Sequence, residues 1–306
     1  MSPPDVAIHE VGPRDGLQNE PEILPTEVKL ELIERLIRAG LRRIEATSFV
    51  SPEWIPQLAD GDELATRLPA APGVRYTALV PNRRGYDRFR RIGRIHTAAV
   101  FISASETHNR RNVNRPVDEH LERLGEVAER ARVDGVPVRA YVATAFGCPY
   151  EGSVATAAVV RLASRLVDLG ADEISLADTI GVGGPTQVRR VISALRDAVP
   201  LERIALHCHD TCGRGLANVE AGYEAGVRIF DSSLGGLGGC PYAPGAAGNV
   251  ATEDVVDRFR AEGVETGVDL ATLEETTGWL EREVLRRPLA SRLSGVQVRG
   301  PAAAES

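Results

Sequence analysis

The feature that most constrains the fold of this chain is a regular alternation of short β-rich runs with amphipathic helical runs. The pattern predicts eight strands, over residues 6–11, 43–47, 75–80, 97–102, 137–143, 173–177, 203–209 and 228–232. Helical periodicity follows each of them, over residues 26–39, 52–67, 83–92, 117–133, 154–169, 186–198, 216–225 and 249–262. The strands read as continuous apolar runs rather than strict alternation, which indicates a parallel sheet covered on both faces.

Eight strand–helix units favour an α/β fold of the closed TIM (β/α)8 type over an open, doubly wound sheet. Eight units close such a ring, and no unit carries the GxGxxG turn of a dinucleotide-binding sheet. Glycines follow six of the helical runs, where they relieve the left-handed backbone that ends a helix. We expect a single domain over residues 1–306, with the barrel over about 5–263. A C-terminal helical extension over about 264–290, with its helix over about 270–287, would precede a flexible tail over 291–306.

Composition excludes several classes of protein. The chain has 306 residues, 36 Lys+Arg and 43 Asp+Glu, so a net charge of −7 argues against nucleic-acid binding. No run approaches the ~20 apolar residues of a membrane span, and the N-terminus shows no targeting segment. The four cysteines form no CxxC pair, which suits a reducing cytoplasm. Lys29 is the sole lysine, so an anionic ligand would be held mainly by arginine.

Ionisable side chains gather where the predicted strands end, which is where barrel enzymes place their active sites. They are Arg14, Asp15, Glu45, Asp178, His207 and His209. Because residues two apart in a strand share a face, His207 and His209 project together, either as a hydrogen-bonded core pair or as half of a metal site. Asp15 offers a carboxylate oxygen and Asn249 an amide oxygen, and this donor set favours Mg²⁺ or Mn²⁺ over a closed zinc site.

A glycine-rich loop follows the last predicted strand. Residues 235–249 contain six glycines and Cys240. The loop is either a long surface connection or, as we favour, a mobile lid that carries the Cys240 thiol over the site. The other cysteines, Cys148, Cys208 and Cys212, are expected to pack or to line the rim.

Three further side chains each allow two interpretations. Arg14 is either a surface ion-pair partner or a fixed cation that stabilises a developing enolate oxygen. Glu45 is either the ion-pair partner of an arginine or a group that orients the site. Asp178 is either a helix N-cap or a support for the site. The remaining histidines, at positions 9, 96, 108 and 120, are interpreted as structural or exposed.

Longer motifs resemble the 3-hydroxy-3-methylglutaryl-CoA lyases of the DRE-TIM metallolyase superfamily. They are EVGPRDGLQNE at 10–20, IEATSFVSP at 44–52, GCPYEG at 147–152, DTIGVG at 178–183, HCHDT at 207–211 and the loop region 235–254. The similarity runs from about residue 6 to about residue 285, and the cysteine loop is specific for this branch.

The resemblance implies a TIM barrel that binds Mg²⁺ or Mn²⁺ through Asp15, His207, His209 and Asn249. It implies catalytic roles for Arg14 and Cys240, supported by Glu45, in the retro-Claisen cleavage of 3-hydroxy-3-methylglutaryl-CoA to acetyl-CoA and acetoacetate. This reaction ends leucine breakdown, and the family suggests a homodimer. In that scheme Cys240 protonates the enolate carbon, and Asp15 or a metal-bound water accepts the hydroxyl proton.

Gln18, Asp178, Arg110 and Arg111 are candidates for supporting the site or contacting the acyl-CoA substrate. Pro21 stands where relatives commonly carry lysine, and the two arginines stand where relatives often have basic residues. Three alternatives stay open. They are the same chemistry on a different 3-hydroxy-3-substituted glutaryl-CoA, a Claisen-condensing synthase, and a non-catalytic barrel that binds acyl-CoA.

Overall fold

Eight parallel strands form a closed barrel in chain order within the part of the protein that the computed structural model describes, residues 4–238 and 248–293. They are β1 (Ala7–Glu10), β2 (Arg43–Ser48), β3 (Arg75–Leu79), β4 (Thr97–Ser103), β5 (Val138–Ala143), β6 (Glu173–Asp178), β7 (Ile204–Cys208) and β8 (Ile229–Ser232). The ring closes where Ala7 to Glu10 pair with Ile229 to Ser232. The predicted TIM barrel is therefore confirmed, with each predicted strand in place.

Ten helices are present among the described residues, and most surround the barrel. They are α1 (Thr26–Arg38), α2 (Gly61–Arg67), α3 (Arg83–Ile92), α4 (Glu106–Val113), α5 (Val117–Asp134), α6 (Thr156–Asp168), α7 (Pro185–Leu195), α8 (Gly215–Glu224), α9 (Thr252–Ala261) and α10 (Leu270–Trp279). The apolar stripe of α6 is buried, as its periodicity predicts. None of these helices is long and apolar enough to cross a membrane.

The structure departs from the predicted helices in four places. The helix predicted over 52–67 begins only at Gly61, because Pro52 and Pro56 favour turns, and Pro56–Leu58 forms a 3₁₀ turn instead. The helix α4 was not predicted because its sequence has no apolar stripe. The helix α9 begins at Thr252 rather than 249, since Ala251 still pairs with Ser233. The helix α10 ends at Trp279, and a π-helical turn continues it over Leu280–Leu285.

Charged side chains fill part of the barrel interior beneath the strand ends. Arg139 on β5 donates hydrogen bonds to Glu173 on β6 and, over 2.5 Å, to Asp231 on β8. Arg139 and Asp231 are both buried, so each charge is compensated by the other. This pair lies directly below the site described next, because Asp231 contacts one of its histidines.

Candidate active site

Asp15, His207 and His209 converge at the C-terminal end of the barrel. One ligand atom of each lies within 4.8 Å of the others, and all three are at least largely buried. Oδ2 of Asp15 is 4.0 Å from Nε2 of both histidines, and the two imidazole centroids are 5.2 Å apart. Asp15 comes from the turn Gly12–Gly16 after β1, whereas His209 lies one residue beyond the end of β7. The predicted projection of both imidazoles to one side is confirmed.

Asn249 reaches the same cluster from the chain that follows β8. Its backbone forms an antiparallel bridge with His209, which carries the side chain to Asp15. The Nδ2 group donates to Oδ2 of Asp15 over 2.9 Å and to the carbonyl of Leu237 over 3.1 Å. The amide nitrogen therefore faces the carboxylate, and rotation of the amide by 180° would exchange nitrogen and oxygen.

Each histidine presents Nε2 to the cluster. Nδ1 of His207 lies 3.2 Å from Oδ2 of Asp231, an arrangement that fixes the orientation of the ring and directs its other nitrogen towards Asp15. Nδ1 of His209 is buried and has no hydrogen-bond partner among the described residues. Two imidazole nitrogens and one carboxylate oxygen thus point into one small space.

The protonation of these groups suits a divalent cation. Burial raises the pKa of the Asp15 carboxyl, but the Arg14 charge and the neighbouring histidines outweigh it and lower the pKa to about 2. Burial lowers the pKa of His209 to about 4. At neutral pH both groups are in the forms that bind metals, a carboxylate and a neutral imidazole. The residues present therefore fit a divalent metal ion.

Arg14 is a buried cation fixed beside the cluster. Its Nε donates to Oε1 of Glu45 over 2.5 Å, and its Nη1 donates to Oδ1 of Asp15 over 2.6 Å. The hydroxyl of Tyr141 donates to the second oxygen of Glu45. Burial disfavours the charge of Arg14, but the two carboxylates outweigh it and raise the pKa of the guanidinium. Arg14 is only 6% exposed, so it is not a surface ion pair.

A cavity of about 480 Å³ opens above these residues. The polar residues of its lining include Arg14, Asp15, Gln18, Thr179, His207 and His209. The apolar residues include Val50, Trp54, Leu79, Phe101 and Val113. Gln18 donates to Oδ1 of Asp15 over 3.0 Å, so it supports the carboxylate as well as lining the space. A ligand with an anionic, oxygen-rich end and a less polar arm matches this mixed lining.

Comparison with known proteins identifies the family. The HMGL-like family model matches residues 5–279. The chain belongs to the HMGL-like family. Hydroxymethylglutaryl-CoA lyase YngG of Bacillus subtilis is 48% identical over 290 residues, which cover 95% of this chain and 96% of that protein. The mitochondrial hydroxymethylglutaryl-CoA lyase of Bos taurus is 47% identical over 285 residues, covering 93% of this chain and 87% of that protein.

Solved structures agree with this membership in the HMGL-like family. The HMG-CoA lyase of Bacillus subtilis superposes with a TM-score of 0.92 at 48% identity, covering 95% of this chain and 97% of that one. An HMG-CoA lyase from Acinetobacter baumannii, solved in complex with coenzyme A and 3-methylmalate, gives a TM-score of 0.90 at 40% identity. That match covers 94% of this chain and 93% of the other.

Asp178 of this HMGL-like protein lies outside the cavity lining. Its carboxylate is buried and accepts from the backbone N–H groups of Val182, at 3.2 Å, and Gly183, at 2.9 Å. Burial raises the pKa of Asp178 to about 6 despite these hydrogen bonds. The N-cap interpretation is wrong, because the N-cap of α7 is Gly184 and no side chain caps that helix. Asp178 instead holds the turn that precedes α7.

The remaining residues that the sequence predicted for the site either do not line the cavity or lie outside the described residues. Arg110 and Arg111 lie on α4, where Arg110 pairs with Glu106 at 2.9 Å and Arg111 lies 4.4 Å above the Tyr150 ring. Neither lines the cavity, although the next residues, Asn112 and Val113, do. Cys240 lies outside the described residues. Cys148 and Cys208 are buried and Cys212 is exposed, in line with the packing or rim positions expected of them.

Two buried carboxylates hold the beginning of the glycine-rich segment. Oε1 of Glu10 accepts from the N–H groups of Gly12, at 2.8 Å, and Leu234, at 2.9 Å. Glu253 accepts from the N–H of Gly235 at 2.9 Å, where the backbone takes a left-handed φ of 64°. Burial raises the pKa of both carboxyl groups to about 7. These contacts fasten the chain after β8 to the turn that carries Asp15.

Sequence reasoning missed three residues of this site. Asp231 orients His207, Tyr141 holds Glu45, and Trp54 lines the cavity. An acidic residue in the apolar run of β8 was a usable signal for Asp231. Tyr141 gave none, because an aromatic residue is ordinary in a strand.

Proposed function

We propose that this protein cleaves 3-hydroxy-3-methylglutaryl-CoA to acetyl-CoA and acetoacetate in a retro-Claisen reaction. The observation that carries the proposal is the convergence of Asp15, His207 and His209 beside the buried Arg14 in one cavity. The family membership and the shared name of the relatives reported above support the substrate. The same comparisons argue against a Claisen-condensing synthase and against a non-catalytic barrel that binds acyl-CoA.

Asp15, His207 and His209 would hold a divalent ion, Mg²⁺ or Mn²⁺, and Asn249 could add its amide oxygen if the amide is rotated. Such an ion would supply Lewis acidity that lowers the pKa of the substrate's C3 hydroxyl. Asp231 keeps His207 in position for this role. Gln18 and Arg14 each donate to the Asp15 carboxylate and restrain it.

Arg14 stabilises the negative charge that forms during cleavage. When water in the cavity takes the proton of the C3 hydroxyl, C3 becomes the ketone carbon of acetoacetate, the C2–C3 bond breaks, and its electron pair passes to the thioester as an enolate. The guanidinium is already fixed by Glu45 and Asp15, so it needs no reorganisation to meet that oxygen. Glu45 and Tyr141 are positioning residues in this scheme, because they act through Arg14.

The enolate carbon then takes a proton to give acetyl-CoA. We assign this step to the thiol of Cys240, a general acid carried by the glycine-rich loop. The described stem of that loop, Leu234 to Gly238, lies against the Asp15 turn through Glu10. Asp15 is a weak acceptor for the hydroxyl proton because its pKa is about 2, which favours a ligand role for it.

The proposal also covers the identity of the metal, the oligomeric state, the cellular location, the pathway and the contacts to the phosphates of the acyl-CoA. The oxygen-rich donor set favours Mg²⁺ or Mn²⁺. We also propose a homodimer, a cytoplasmic location and a place in leucine breakdown. Arg110 and Arg111, at the rim on α4, are proposed to contact the phosphates of the acyl-CoA.

A coupled assay of acetyl-CoA release from 3-hydroxy-3-methylglutaryl-CoA tests the activity. Release should stop in EDTA and return when Mg²⁺ or Mn²⁺ is added in excess. A Cys240→Ser variant is the matched control, because it should keep metal binding and thermal stability while losing turnover. Full release in chelator contradicts the metal requirement, and no release with any metal contradicts the proposed reaction.

A further inference from the structure

Trp54 is the most exposed large apolar side chain of the described residues, at 75%. It lies between β2 and α2 and lines the same cavity as Asp15, His207 and His209. An indole ring that is exposed to water lacks the favourable free energy that burial of its apolar surface would provide. Its place at the cavity rather than elsewhere on the surface suggests that a ligand covers it.

The backbone around Trp54 is held in place before any ligand arrives. Pro52 and Pro56 flank the residue and restrict the chain, and the N–H of Trp54 donates to the carbonyl of Ser51 over 3.0 Å. The carbonyl of Gln57 accepts from the buried Nζ of Lys29 over 2.6 Å. The indole is therefore presented on a fixed segment, so little entropy is lost when a ligand packs on it.

We infer that Trp54 is the stacking surface for the adenine ring of the coenzyme A part of the substrate. This inference rests on the proposed function, which places the acyl group beside Asp15, His207 and His209. The thioester arm must then run from there towards the outside of the cavity, whose lining includes the apolar residues Val50, Leu79 and Phe101. Trp54 is largely open to solvent, so it meets the outer end of the ligand, where the flat aromatic base is carried.

The chemistry of the surroundings agrees with this assignment. Adenine offers a π face that stacks on indole, whereas the pantetheine arm offers only amides and methyl groups. Asn112 and Val113 of α4 line the same cavity, and Arg110 and Arg111 precede them on that helix. If Arg110 and Arg111 bind the phosphates of coenzyme A, the adenine base can rotate onto the indole ring of Trp54.

The two tryptophans of the chain make the contact directly measurable. Trp279 is 7% exposed and lies beneath the guanidinium of Arg35 at 4.4 Å, so it provides a constant background. Coenzyme A and adenosine 3′,5′-bisphosphate should each quench the emission of Trp54, and pantetheine should not. The Trp54→Phe variant should lose this signal and show only the background.

Steady-state kinetics provide a second test of the contact between Trp54 and adenine. Trp54→Ala should raise KM for 3-hydroxy-3-methylglutaryl-CoA by about 5- to 100-fold, the range expected for one lost base stack, with kcat unchanged. Trp54→Phe should recover most of the affinity. With the pantetheine thioester of the same acyl group, Trp54→Ala and the parent protein should have equal KM. Ile23→Ala is the matched control, since Ile23 is 61% exposed but does not line the cavity.

Three results overturn the inference. They are quenching by pantetheine but not by the bisphosphate, an unchanged KM in Trp54→Ala, or loss of dimer assembly in that variant with coenzyme A binding intact. Absence of lyase turnover with quenching preserved contradicts the proposed reaction instead and leaves the adenine contact standing.

Discussion

Nδ1 of His207 lies 3.2 Å from Oδ2 of Asp231, and this contact links the candidate metal centre to the ionic interior of the barrel. Asp231 in turn accepts from Arg139 over 2.5 Å and from the hydroxyl of Ser175 over 3.2 Å. A carboxylate behind a metal-binding histidine fixes the ring and increases its basicity. The interior charges therefore serve the site as well as compensating each other.

Replacing Asp231 by asparagine should weaken metal binding by about 10- to 100-fold, because the imidazole of His207 loses its anionic partner. Titration calorimetry with Mn²⁺ measures the change. Ser175→Ala is the matched control, since it removes only a neutral hydrogen bond to the same carboxylate. Equal dissociation constants for Asp231→Asn and the parent would contradict the role. The melting temperature of each metal-free variant shows whether the fold is retained.

Replacing Arg14 by lysine should lower kcat by about 10²- to 10³-fold, which is the typical cost of removing a donor that stabilises negative charge in the transition state. A single ammonium cannot hold Glu45 and Asp15 with the paired geometry of the guanidinium. Steady-state kinetics of acetyl-CoA release measure the effect. Arg91→Lys, on the exposed side of α3, should keep the parental kcat. A kcat for Arg14→Lys near that of the parent would remove Arg14 from the chemical step.

Much of this fold was predictable because strand and helix periodicities are local properties. The positions of Asp15, His207 and His209 followed from one rule, that strand ends of a parallel barrel meet at one rim. Trp54 was assigned to a helix because the apolar spacing outweighed the two prolines around it. The contact of Tyr141 with Glu45 crosses from β5 to β2 through the interior, and no local pattern encodes such a meeting.

Replacing Lys29 by methionine should destabilise the protein by about 3 kcal/mol, because a buried ion pair loses one partner. Lys29 is 1% exposed, and its Nζ donates to Oδ1 of Asp60 over 2.6 Å. Urea unfolding measures the loss. The double variant Lys29→Met/Asp60→Asn should regain part of it, since no charge is then left unpaired. Stability of the double variant below that of the single variant would contradict this account.

Replacing Glu253 by glutamine should alter how stability depends on pH. Burial, with the nearby Glu10, raises the pKa of Glu253 from 4.5 to about 7 in the folded protein. Below pH 4.5 the group is protonated in both states, so its contribution to stability is fully present. Between 4.5 and about 7 the unfolded chain releases the proton first, so the free energy of unfolding falls as pH rises, by up to about 1.4 kcal/mol per unit.

Glu253→Gln has no titratable group at this position. Its free energy of unfolding, relative to that of the parent, should therefore increase from pH 5 to 7 and become constant above that range. Urea unfolding at pH 5, 6, 7 and 8 measures the difference, and histidine titrations cancel because both proteins share them. Glu274→Gln on the exposed side of α10 reports the effect of removing a surface carboxylate. A difference between Glu253→Gln and the parent that does not change with pH would show that Glu253 is ionised throughout and holds the N–H of Gly235 as a permanent carboxylate.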